Sequence, residues 1–140
     1  MEDPRQALIE ARLERAAEAI GDPTQQVMSE FYRRFPDAKA SFVHHAPHDP
    51  AKLEEEMVGN CLYYVMQCFI SPIETRIYFD TSVPHHRVAL NVPPDWFRGM
   101  IEAFIDVIEI AAPEHSSDES DAWCGMRQAL VGLVERNRDI

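Results

Sequence analysis

Apolar residues recur along the chain at three- and four-residue intervals, and prolines, glycines and short acidic residues punctuate them where helices begin and end. Leu8, Ile9, Leu13, Ala16 and Ile20 form the first stripe. Asp3-Pro4-Arg5-Gln6 precedes it, a capping carboxylate followed by a first-turn proline, and Gly21 closes it. The same start signal, Asp22-Pro23-Thr24-Gln25, opens a second stripe of Val27, Met28, Phe31, Tyr32 and Phe35, which Pro36 ends. Pro36 to Phe42 suits one short helical piece, and His44 to Asp49 has no period and is expected to be a loop. Asp49-Pro50 starts a long amphipathic helix, with Leu53, Met57, Cys61, Leu62, Val65 and Phe69 on one face and Glu54, Glu55, Asn60 and Gln67 on the other.

From Ser71 to Leu90 the period weakens. Pro72 and Pro84 both discourage a continuous helix, so short turns around a brief helix holding His85 and His86 are expected, with Arg76 to Phe79 a weak strand candidate. Pro93-Pro94-Asp95 then opens the clearest helix, in which Trp96, Phe97, Met100, Ile101, Phe104, Ile105 and Ile108 repeat until Pro113. After a polar loop, Glu114 to Ser117, a capping box of Ser116 and Glu119 leads the last helix, whose stripe is Trp123, Met126, Leu130, Leu133 and Val134. The predicted class is all-α, with residues 1–140 forming one domain.

Composition narrows what such a bundle does. The 140 residues are 46% hydrophobic and 26% charged, enough for a sizeable core. Acidic residues outnumber basic ones 24 to 13, a formal charge of -11 that repels phosphate backbones and anionic lipid surfaces, so neither nucleic acid nor membrane is an expected partner. No segment approaches the roughly 20 apolar residues of a membrane span; even Ala103 to Ala112 carries Asp106 and Glu109. The acidic opening Met1-Glu2-Asp3-Pro4 is unlike a basic secretory leader, which points to the cytoplasm. Cys61, Cys68 and Cys124 form neither a disulfide framework nor a metal knuckle and are expected to be buried, reduced thiols.

Candidate chemistry is sparse. None of the six histidines sits at zinc-motif spacing; His44, His45 and His48 beside Asp49 read as a solvated loop, and Glu54-Glu55-Glu56 as negative charge placed against a helix dipole. No GxSxG, phosphate-cradling loop or HExxH occurs, and glycines number five. What stands out is a set of large soft side chains, Met28, Phe31, Phe42, Met57, Phe97 and Met100, which either fill a core or line a cavity for a flat ligand. His86 lies close by in sequence to apolar Val83, Val88 and Leu90, and a buried imidazole needs partners for its nitrogens, of which iron is one.

These residues resemble the globin family over nearly the whole chain. The run from His86 through Asn91-Val92-Pro93-Pro94-Asp95 to Trp96-Phe97 is similar to the globin stretch that begins at the proximal haem-ligating histidine and enters the next helix at an aromatic. Pro36 stands six residues before Phe42, as at the globin corner whose phenylalanine packs on the haem, and Trp123 fits the last helix of bacterial globins. The resemblance implies a globin-like fold of six to eight helices holding haem b. His86 would be the axial iron ligand, its other N–H needing an acceptor such as a backbone carbonyl. Phe42 would be the stacking aromatic, and Leu90, Val92, Phe97 and Met100 the proximal wall; His85, about 100 degrees around the helix, would face the surface or a propionate.

On the distal side an ungapped register puts Met57 opposite the iron, with Val58, Cys61 and Leu62 behind it, and Met28 at the second-helix position facing the ligand. A rival register makes Tyr32 the distal donor. Met57 could alternatively be a sixth, thioether ligand, giving a redox haem protein. The implied function is reversible binding of oxygen, carbon monoxide or nitric oxide for storage, transport or sensing. Binding stands ahead of catalysis, because nitric oxide dioxygenase or peroxidase turnover would require a separate electron donor. The alternative from another class is a haem-free globin-fold signalling or interaction domain whose acidic surface meets a basic partner. A homodimer through the last two long helices is compatible with their stripes.

Overall fold

The computed structural model describes residues 2–139, and among them every regular element is a helix. In chain order these are α1 (Arg5–Ile20), α2 (Thr24–Arg34), α3 (Ala38–His45), α4 (Pro50–Gln67), α5 (Pro72–Ala89), α6 (Pro94–Ala111) and α7 (Ser117–Glu135). No helix is long and apolar enough to cross a membrane.

The start signals act through specific atoms. Asp3 and Asp22 each accept the backbone N–H two residues on, from Arg5 and Thr24, at 2.9 Å. Asp49 accepts from Lys52 N–H at 3.1 Å, and Ser116 from Glu119 N–H at 3.1 Å. Each satisfies a donor that the first helical turn leaves without a partner. Gly21 ends α1 with a positive φ of 65°, a conformation in which any side chain is strained. The Ser116–Glu119 pair makes only half of a capping box: the Glu119 carboxylate accepts from His115 N–H and is otherwise committed to Arg15.

Two segments differ from expectation. Residues 44 and 45, expected in a loop, continue α3, because no breaker occurs before Pro47 and histidines suit the negative end of a helix. The larger difference is α5, 18 residues long where turns and a brief helix were expected; Arg76 to Phe79 is helical too. Pro72 occupies the first turn, where a missing N–H costs nothing. Pro84 lies inside the helix and removes one rung of the ladder, yet the flanking turns hold.

α6 runs through the middle of the molecule against α1, α2, α4, α5 and α7. Its stripe is core: Phe97, Met100, Ile101, Phe104, Ile105 and Ile108 are all buried, as are Trp123, Met126, Leu130 and Val134 of α7. The stripes of these two helices are packed mainly within the chain, while Ile110 of α6 is 83% exposed. Three further expectations are corrected. Leu62 is 39% exposed and Val88 77% exposed, and Cys124 is an exposed thiol while Cys61 and Cys68 are buried. Burial pushes the Cys61 thiol up to about 12 and the Cys68 thiol up to about 11, so both stay protonated and inert.

The α2–α6 crossing depends on Gly99. A Cβ there would lie within 3.0 Å of three atoms of the Phe35 ring. Alanine gains about 1 kcal/mol of helix propensity, but the overlap costs about 1–3 kcal/mol. Gly99→Ala is expected to destabilise the protein in denaturant titration, and a Phe35→Leu background is expected to erase that loss.

Candidate functional site

The α3–α4 side of the bundle and the α5–α6 corner enclose a cavity of about 130 Å³. Of the predicted site residues, Phe42, Met57, Cys61, His86, Leu90, Val92, Phe97 and Met100 line it together. Met28 and Tyr32 do not. Met28 is buried in the core of α2, away from this space. The Tyr32 hydroxyl donates to the Glu54 carboxylate at 2.7 Å, and burial together with that carboxylate raises its pKa. Val58 lies on the adjoining face of α4, in the core.

His86 is set by its own helix. One turn back, the Ser82 carbonyl accepts the Nδ1 hydrogen of His86 at 2.7 Å, while the Ser82 hydroxyl is 3.3 Å from the same nitrogen. With Nδ1 carrying the hydrogen, Nε2 keeps its lone pair. Burial holds the imidazole below its ordinary pKa, against the opposing pull of the Ser82 carbonyl, so the ring is neutral at pH 7. Phe97 fixes the ring from the side, edge to face at 5.1 Å between centroids and 87°. His85, the neighbour, is exposed.

The corner after α5 is tied to the same residue. Leu90 N–H and Val92 N–H both donate to the His86 carbonyl, at 3.2 and 2.8 Å, and Asn91 between them takes a φ of 55°, a left-handed conformation that asparagine tolerates. Leu90 and Val92 are thereby turned into the cavity wall. From the opposite side, His45 Nε2 donates to the Leu90 carbonyl at 2.9 Å and joins the end of α3 to this corner.

The hydrophobic pattern predicts a loop at His45 and the polar face of α4 for Asn60, yet both line the cavity, with Ser41, Leu53, Tyr64 and Trp96. Asn60 stands three residues after Met57, a spacing that puts both on one helix face and could have revealed it.

Among the described residues no group of three or more His, Cys, Asp or Glu side chains could hold a bare metal ion. The His86 lone pair, in a slot lined mostly by apolar side chains with Ser41, His45 and Asn60 as its polar points, would suit a metal carried by a flat macrocycle. The surroundings fit such a group: Phe42, Leu53, Met57, Leu90, Val92 and Trp96 are large, apolar and only half-buried, so an apolar ligand would withdraw them from water. At about 130 Å³ the cavity is smaller than the roughly 300–1,000 Å³ of ordinary ligand sites. Seating a macrocycle would require these partly exposed side chains to swing apart, widen the slot and close over the ligand's faces. No family model, curated protein or solved structure matches the chain.

Proposed function

We propose that this chain is a globin-like haem protein that binds a diatomic gas, oxygen, carbon monoxide or nitric oxide, at haem b held by His86. One observation carries the reading: a neutral imidazole in an apolar slot whose Nδ1 hydrogen is held by the Ser82 carbonyl, leaving Nε2 as a ready donor. When bound, the haem supplies an iron centre that takes up the gas reversibly. The chain's own part is to hold, cover and keep dry. His86 would hold the group through Nε2, with Phe97 edge-on to its ring, and Leu90, Val92 and Met100 would complete the wall.

Phe42 and Met57 cover the slot from α3 and α4. Neither Met28 nor Tyr32 has a part, since one lies outside the cavity and the other's hydroxyl is engaged by Glu54. Asn60 is the residue of α4 that brings an amide donor to the slot, so it, rather than Met57, would supply a hydrogen bond to a bound gas. Any redox turnover would draw electrons from a separate donor.

The test is the absorption spectrum of the protein produced with haem supplied, recorded ferric and ferrous. A Soret band with a high-spin ferrous form is expected. A low-spin ferrous form that Met57→Leu converts to high spin would assign Met57 as a sixth ligand and favour redox over gas chemistry. Absence of any band would sink the haem reading altogether.

A further inference from the structure

On the opposite side of α4 from the haem slot lies a second, larger depression of about 690 Å³, open to solvent. Phe104 and Ile108 of α6, nearly fully buried, close its bottom, and Leu13 and Ile20 of α1 with Leu62 and Met66 of α4 form the apolar walls that solvent reaches. Gly59 faces it with nothing within 4 Å of where a Cβ would stand, so the wall is thinned to backbone there. The charged residues lining it are Glu10, Glu14, Asp22 and Glu55, all acidic, and none of the four is in an ion pair among the described residues.

We propose that this groove docks an amphipathic helix of a partner protein carrying Lys or Arg beside its apolar stripe. Both walls contribute over about three helical turns, from Glu10 to Ile20 and from Glu55 to Met66. That is about 15 Å, the length of an eleven-residue helix. The apolar walls take residues at i, i+3/i+4 and i+7, and an acidic rim without ion-pair partners takes cations flanking them. The same rim disfavours other occupants: a second copy of this chain, at -11, would bring like charge, and fatty-acid or phospholipid head groups would meet carboxylates. The groove's occupancy does not depend on haem, because Met57 and Cys61 serve the slot whereas Gly59 and Leu62 serve the groove.

The probe is a fluorescein-labelled helical peptide of about twelve residues, with leucines at i, i+3, i+4 and i+7 and lysines alongside, followed by anisotropy against the intact protein with and without haem. Binding is expected to weaken with added salt. Gly59→Leu puts a side chain into the groove while raising helix propensity, so the variant stays folded and is expected to weaken binding roughly tenfold or more. Glu14→Lys with Glu55→Lys is expected to weaken the lysine peptide similarly and to favour a glutamate version of it. Equal binding by wild type and Gly59→Leu, equal binding of a scrambled lysine peptide without the apolar stripe, or no binding of the amphipathic peptide at all would each overturn the proposal. Displacement of the bound peptide by neutral detergent monomers as effectively as by unlabelled peptide would also count against it.

Discussion

In protein produced with haem supplied, His86→Ala is expected to lose the Soret band completely, while His85→Ala retains it. The two rings are neighbours in sequence, with centroids 6.1 Å apart and planes at 90°, but only His86 lines the slot; His85 is exposed. Removing the half-buried His86 ring forfeits its hydrogen bond to the Ser82 carbonyl, about 1 kcal/mol, and its edge-to-face contact with Phe97, about 1 kcal/mol, a loss the helical core is expected to tolerate, so loss of the band reports loss of the ligand and not of the fold. Circular dichroism of the apoprotein checks this. His86→Gly with free imidazole added offers a second control: the small molecule replaces the missing ring in the space it vacates and is expected to bring the band back. A band that survives His86→Ala and disappears in His85→Ala would mean that the helix register is wrong. A band surviving both would move the iron site elsewhere.

Why the sequence revealed some of this and hid the rest follows from what each helix face carries. The starts of α1, α2, α4 and α7 were legible because Asp3, Asp22, Asp49 and Ser116 accept first-turn N–H groups, a requirement that leaves a local signature. α5 was not, since its buried face holds Thr75 and Ser82 with Phe79 and Val83, while Ile73, Ile77 and Val88 look outward. A helix whose exposed face is greasier than half of its buried face defeats a reading based on amphipathicity, and Pro84 argues for a break that the surrounding turns override. The slot residues nearest the two sequence anchors, Phe42 and His86, were legible because short, fixed spacings position them. Across α2 the register had to be counted through a corner, and Met28 and Tyr32 both fell outside the slot. Along α4, Leu62 and Asn60 exchange the roles that their polarity suggests: the leucine borders an open groove and the amide a cavity.

Glu119→Ala is expected to be the most damaging single change to stability, about 3–5 kcal/mol, read from urea titration followed by circular dichroism. Glu119 is 2% exposed, at the start of α7. Its carboxylate accepts from Arg15 of α1 at 2.9 Å and from His115 N–H at 3.2 Å, and lies 3.9 Å from the Nε of Arg12. Arg12 is itself 5% exposed; it donates to the Ala112 carbonyl at 2.8 Å and sits 5.2 Å above the Trp123 ring. Deleting the carboxylate leaves a guanidinium inside the α1–α7 contact with no counter-charge, and the cost of that orphaned cation, more than the lost attraction, sets the size of the effect.

Glu119→Gln, which keeps the shape and an acceptor for Arg15, is expected to lose less. Arg15 lowers the Glu119 pKa from its usual range, burial opposing. A carboxylate depressed in the folded state contributes stability above its unfolded pKa and surrenders it as pH falls through the folded value. The gap between wild type and Glu119→Ala is therefore expected to narrow below about pH 4. Replacing Arg12 with methionine and Glu119 with leucine together removes the two most buried charges and leaves the partly exposed Arg15 to solvent and the Pro113 carbonyl, and is expected to recover much of what the single change loses. A deficit for Glu119→Ala that stays under about 1 kcal/mol, the scale of an exposed pair, would show that water reaches this contact.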